Sequence, residues 1–131
     1  NIELPELLRQ LATAFVGRSR IPLELSIDED CVIEHSARTA LYRIAQETLN
    51  NVTKHANATH ASLALSRQGD TVELSIADDG DGFDQTQIHG NHLGLNIMRE
   101  RAAEIGADLY ISSYPQKGTK VSVLWTQTNK M

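Results

Sequence analysis

The sequence predicts an α+β domain: a two-layer α/β sandwich whose mixed, mostly antiparallel sheet is covered on one face by about three helices. Three observations predict it. Several short stretches alternate apolar and polar residues, the period of a strand buried on one side only. Other stretches repeat their apolar residues at helical spacing. The chain's 131 residues, 40% hydrophobic and 22% charged, are one domain's worth of ordinary globular composition, read here as a single domain over 1–131. An antiparallel sheet tolerates one wet face, so the helices gather on the other.

The elements follow in order. Leu7, Leu8, Leu11, Ala12 and Phe15 place a helix over Pro5 to Val16, with Gly17 as its stop. Ile21, Leu23, Leu25 and Ile27 alternate with Glu24 and Ser26 in a half-buried strand. The longest helix runs from about Ser36 to Ala56, with Ala37, Ala40, Leu41, Ile44, Ala45, Thr48, Leu49 and Val52 as its apolar stripe. Asn57-Ala58-Thr59 breaks that pattern. Leu63 and Leu65 mark one strand, and Val72, Leu74 and Ile76 the next, joined by a hairpin turn at Gln68-Gly69-Asp70. Leu95, Met98, Ala102 and Ile105 form a second core helix capped by Gly106. Leu109 and Ile111 start a further strand, Pro115 to Gly118 turns the chain, and Val121, Val123 and Trp125 end the sheet. The polar stretch from Asp79 to His92 joins none of these elements, and a long polar loop inside a compact domain is usually functional or mobile.

Composition excludes some classes of function. Twelve Lys and Arg against seventeen Asp and Glu give a formal charge of −5, without the basic face of a general nucleic-acid binder. The single Cys31 excludes a disulfide framework and a multi-cysteine metal site, and suggests a reducing compartment. No apolar run approaches the roughly 18 residues that span a bilayer. Asn1 to Pro5 has neither a signal peptide's basic start nor an initiator methionine, so the chain is read as a piece of a larger protein.

Three clusters carry chemistry. On the long helix, Glu47, Asn51 and His55 are four apart and share a face, with Lys54 beside it. Such a polar row is costly to bury without a ligand, and the Asn51 amide oxygen suits Mg²⁺, which takes few ligands from protein and the rest from phosphate and water. A solvated helix face is the plain alternative. In Asp78-Asp79-Gly80-Asp81-Gly82, Asp78 ends an apolar strand, where its carboxylate can accept a hydrogen bond from an amine such as adenine N6. Gly80 and Gly82 permit backbone geometry and close approach that a Cβ would block. An acidic turn is the alternative. Gly90-Asn91-His92-Leu93-Gly94-Leu95 opens the second core helix, whose free N–H groups suit phosphate, unless Asn91 is only a cap. Neither a P-loop nor a Rossmann glycine pattern occurs.

Together these clusters resemble the catalytic, ATP-binding domain of bacterial sensor histidine kinases, in the GHKL superfamily that also includes DNA gyrase and heat-shock chaperone ATPases. Glu47 to His55 is similar to the N box, Asp78 to Gly82 to the G1 box, Gly90 to Gly94 to the G2 region, and Gly118-Thr119 to the pair before the last strand. The likeness runs from about Ala40 to Trp125. Leu41 to Glu47 and Gly94 to Ala102 look like the subfamily of nitrate/nitrite sensors and kinases paired with LuxR-type (NarL-type) response regulators.

The resemblance implies the Bergerat fold, ATP and Mg²⁺ as ligands, and transfer of the γ-phosphate to a histidine on a dimerisation helix. It implies Asn51 as the Mg²⁺ ligand and Glu47 as the catalytic residue that orients or activates the attacking group. Lys54 would contact phosphate, His55 the nucleotide, and Asp78 adenine N6, with Thr119 supporting Asp78 through water. Gly80 and Gly82 would shape the base pocket, and Gly90, Gly94 and Leu95 the phosphate side. It further implies a homodimeric parent and a cytoplasmic place for this domain, leaving open whether the parent is anchored in the inner membrane. His35, His55, His60, His89 and His92 are followed by Ser, Ala, Ala, Gly and Leu, whereas a phosphoacceptor histidine typically precedes Asp or Glu. The acceptor is therefore expected outside this chain. Two alternatives stay open: an anti-sigma factor with serine kinase activity, and a degenerate domain serving only as a regulatory surface.

Overall fold

In the computed structural model, which describes residues 2–87 and 94–127, alternation and helical spacing resolve into the two expected layers. A five-stranded sheet has the order β1-β2-β3-β5-β4. Its strands are β1 (Leu23–Ile27), β2 (Ala61–Gln68), β3 (Thr71–Asp78), β4 (Asp108–Ser113) and β5 (Thr119–Thr126). Among the described residues only β1 and β2 pair in parallel; β2–β3, β3–β5 and β4–β5 are antiparallel. The parallel pair needs a crossover, supplied by α2 (His35–Asn51). Helices α1 (Leu4–Ser19) and α3 (Leu95–Glu104) flank α2. The core lies between the layers: Leu8, Leu41 and Ile44 from the helices meet Leu63, Leu65, Leu74, Ile76 and Val123 from the sheet, all nearly inaccessible to water.

Two details differ from the sequence reading. Gly17 does not stop α1; the helix runs on to Ser19 and ends at Arg20, whose φ of 63° is left-handed and whose N–H bonds the Val16 carbonyl. A helix of this kind ends where a residue turns left-handed, and that residue is Arg20, not Gly17, which has no positive φ. Leu25 is 41% exposed, because β1 is an edge strand and the helices cover the sheet's centre more fully than its edge.

The long helix keeps its expected reach but changes form. Val52–Ala56 is a π-helical turn, and Asn57, at φ 52°, ends it in a left-handed conformation. Beyond it, Gly69-Asp70 closes β2 to β3, with Gln68 opposite Thr71. Gly106 lies just past α3 at φ 67°, and Trp125 Nε1 donates to the Ile105 carbonyl (3.1 Å), tying that helix end to β5.

Candidate active site

Register builds the floor of the site. Asp78 on β3 lies opposite Thr119 on β5, and Thr119 lies opposite Ser113 on β4. Asp78 and Thr119 share the parity of the buried Ile76 and Val121, so the row points at the helices rather than at the wet face. Above it, a cavity of about 280 Å³ opens between α2, α3 and the sheet. Its wall takes Asn51 and His55 from the end of α2 and the π turn, and its floor Asp78 and Thr119. Val52, Met98 and Val121 supply apolar lining, with Phe83 on the loop side. Thr48, which also lines the cavity, spends its hydroxyl on the Ile44 carbonyl (2.7 Å).

The remaining predicted residues take varied places. Gly82 and Leu95 line the cavity. Glu47 does not, but its carboxylate lies against Gly94, where an added Cβ would stand 3.0 Å from it. Gly94 has φ 64° and opens α3, so a negative charge sits at the positive end of that helix. Lys54 is exposed and lies outside the cavity lining. Gly90 lies outside the described residues.

Gly80, Gly82 and Gly118 each accept the chain itself as a close neighbour. A Cβ on Gly80 would overlap the Ala56 carbonyl, one on Gly82 the Tyr114 carbonyl, and one on Gly118 the Asp78 carbonyl. The last two also have φ of 63° and 76°. These contacts seat the start of the loop between the π turn and the β4–β5 hairpin. Asp81 N–H donates to the Ala56 carbonyl (2.6 Å), and Asn57 donates to the Asp81 carboxylate (2.9 Å). Phe83 N–H reaches Ser113 Oγ (2.9 Å), and the Gln85 amide reaches the Ile111 carbonyl (2.9 Å). The first half of the polar stretch is thus anchored to the π turn with its cap and to β4; its residues 88–92 lie outside the described ones.

The two adjacent aspartates are driven in opposite directions. Burial pushes the Asp78 carboxyl up and the Asp79 charge adds to that, while the Gly80 N–H (2.8 Å) and the Thr119 backbone work against it. Asp79 is exposed and held well below the usual carboxylate range, first by the Thr59 hydroxyl (2.6 Å), then by the backbone N–H groups of His60 (3.0 Å) and Thr59 (2.8 Å). It fastens the segment after the π turn to the end of β3. Sequence reasoning gave Asp79 no role. Its signal was available only as an acid and a Thr-His pair flanking one hairpin.

Known proteins share the sequence pattern and the fold. Residues 36–129 match the sequence model of the family described as histidine kinase-, DNA gyrase B-, and HSP90-like ATPase. The chain is 35% identical over 120 residues to the sensor histidine kinase LiaS of Bacillus subtilis, covering 92% of this chain and 33% of that protein. It is 36% identical over 107 residues to the sensor protein VraS of Staphylococcus haemolyticus, covering 81% and 31%. The chain therefore spans about a third of the curated relatives it matches. Among solved structures, the histidine kinase domain of a blue-light activated kinase from Erythrobacter litoralis superposes with a TM-score of 0.78 at 22% identity, covering 95% of this chain and 61% of that one. The mycobacterial sensor histidine kinase MprB gives 0.74 at 18%, covering 95% of both; these two likenesses show the fold. With the greater part of its sequence matched by that model, the chain belongs to the family of histidine kinase-, DNA gyrase B- and HSP90-like ATPases.

Proposed function

We propose that this chain binds ATP and directs its γ-phosphoryl group to a histidine side chain of the longer protein it belongs to, for relay to a response-regulator aspartate. The observation that carries this reading is the cavity itself: an amide and an imidazole from the end of α2 face a carboxylate and a hydroxyl from the sheet across an apolar interior. That is the layout for a flat base with a polar edge at one end and a charged tail at the other. Asp78 accepts from the exocyclic amine of adenine, and Val52, Met98 and Val121 exclude water from the ring. Asn51 and His55 hold the ribose-phosphate end. Glu47 sits at the start of α3, positioned to take a proton from, or orient, the attacking imidazole. In the transfer, a P–N bond to that imidazole forms as the bond from the γ-phosphorus to the β–γ bridging oxygen breaks, and ADP leaves with the electron pair. Positioning and charge neutralisation do most of this work.

Mg²⁺ fits the donor set. Asn51 offers an amide oxygen, and the described residues hold no group of three or more His, Cys, Asp or Glu that could cage a metal. A cation that keeps water and phosphate as most of its ligands suits such a site, where it would offset phosphate charge. The subfamily reading extends the proposal to a homodimeric parent and a LuxR/NarL-type regulator, supported by the Leu41–Glu47 and Gly94–Ala102 phrases. Isothermal titration with ATP and ADP, with and without Mg²⁺, tests the core of the reading. Mg²⁺-dependent binding is expected; no heat at millimolar nucleotide from folded protein would refute it.

A further inference from the structure

Ser113 is 3% exposed and does not line the cavity, yet three polar groups converge on its hydroxyl. Phe83 N–H stands 2.9 Å from Oγ, the Gly118 carbonyl 3.3 Å and Thr119 Oγ1 2.7 Å. A hydroxyl has one proton and two lone pairs. Phe83 N–H can only donate, so it takes one lone pair. The Gly118 carbonyl can only accept, so it takes the proton. One lone pair remains, and Thr119 is left as the donor. This is the only assignment that makes all three contacts, and buried polar groups are paired wherever geometry allows.

From this we infer that Ser113 is a positioning residue for base selection: by holding the Thr119 proton, it makes Thr119 present only lone pairs to the cavity, beside the acceptor Asp78. The inference rests on the nucleotide reading above and names its specificity device. Two acceptors side by side favour a purine bearing an amine over one bearing an oxo group at the same ring position. Without the Ser113 oxygen, the Thr119 hydroxyl turns and donates into the cavity, where an oxo group can receive it.

The test measures ATP and inosine triphosphate binding to the 131-residue chain, its Ser113→Ala variant, its Thr119→Val variant and the double variant. Ser113→Ala is expected to narrow the preference for ATP by about tenfold, the effect of one hydrogen bond changing sign. On the Thr119→Val background the same change should leave the preference unaltered, because no hydroxyl remains to turn. A purely structural Ser113 would weaken both nucleotides equally; a preference unchanged within about twofold in Ser113→Ala (under roughly 0.4 kcal/mol) overturns the inference. If circular dichroism shows Ser113→Ala unfolded, Ser113→Cys replaces it, since a thiol fills the volume but accepts hydrogen bonds poorly. Failure of the unaltered chain to bind either nucleotide would instead overturn the nucleotide reading, and this inference with it.

Discussion

At Asp78, burial and hydrogen bonding compete over one proton. Its pKa lies above the ordinary 3.8, so protonation, which turns an acceptor oxygen into a donor, occurs at a higher pH than for an exposed aspartate. Adenosine affinity is therefore expected to fall as pH drops through that raised value, and titrations toward acid pH should show the loss beginning above the ordinary aspartate range in the native chain and not in Asp78→Asn. That variant should itself bind adenosine and ATP roughly ten- to hundred-fold more weakly, the effect of losing a charge-assisted hydrogen bond. Affinity within about twofold of native (roughly 0.4 kcal/mol) would remove Asp78 from the base pocket. The signs for stability differ between the neighbours. Folded Asp78 holds its proton more tightly than the unfolded chain does, so its ionisation disfavours folding as pH rises through the raised value. Asp79 is held ionised, so its bonds to Thr59 and His60 stabilise the fold above the usual aspartate pKa, and that contribution is lost as pH falls from there through its own lowered pKa. Acid unfolding followed by circular dichroism should accordingly begin at higher pH in Asp79→Ala. Asp78 was legible as a chemical group because a carboxylate ending an apolar strand is conspicuous. Asp79 and Ser113 were not, since their roles depend on which distant backbone arrives beside them.

Among the elements, the glycines separate into two kinds. Gly80 and Gly118 meet carbonyl oxygens where a Cβ would be, whereas Gly17, inside α1, has nothing within 4 Å. Gly80→Ala should therefore destabilise by about 1–3 kcal/mol, as overpacking does. Gly17→Ala should stabilise by about 0.5–1 kcal/mol through lower unfolded-state entropy. Urea melts of both variants check the pair, and like signs would contradict the assignment. Strand positions were legible because a period of two admits little error; the misplaced end of α1 shows that glycine alone is a weak boundary signal when a left-handed arginine can close the helix instead. The π turn was invisible for a similar reason. Over the single turn from Val52 to Ala56, a helix closed by wider bonds leaves almost the same apolar spacing as an α-helix, yet it swings His55 and the Ala56 carbonyl into new places.

For the whole molecule, the fold class was legible because the hydrophobic pattern alone demands two layers, and the candidate site because residues of the Glu47–His55 and Asp78–Gly82 phrases, with Leu95, line one cavity. None of the chain's histidines precedes an acidic residue, so the chain incubated alone with radiolabelled ATP and Mg²⁺ is expected to acquire no acid-labile, alkali-stable label. A histidine-bearing helical fragment of the parent, added in trans, should become labelled. Label on this chain alone would show that one of its own histidines is an acceptor. The order of strands across the sheet also governs when the pocket can exist. β2 and β3 are joined by a two-residue turn and can pair as soon as they are made, but Asp78 meets Thr119 only after α3, β4 and the Pro115–Gly118 turn have been synthesised. On the ribosome, which releases the chain from its N-terminus, the proposed base site closes near the end of this segment. Nucleotide bound at that proposed site cannot guide the early steps of folding; it can only lock the last one, so that truncation anywhere before β5 is expected to leave a nascent chain to which ATP offers no protection.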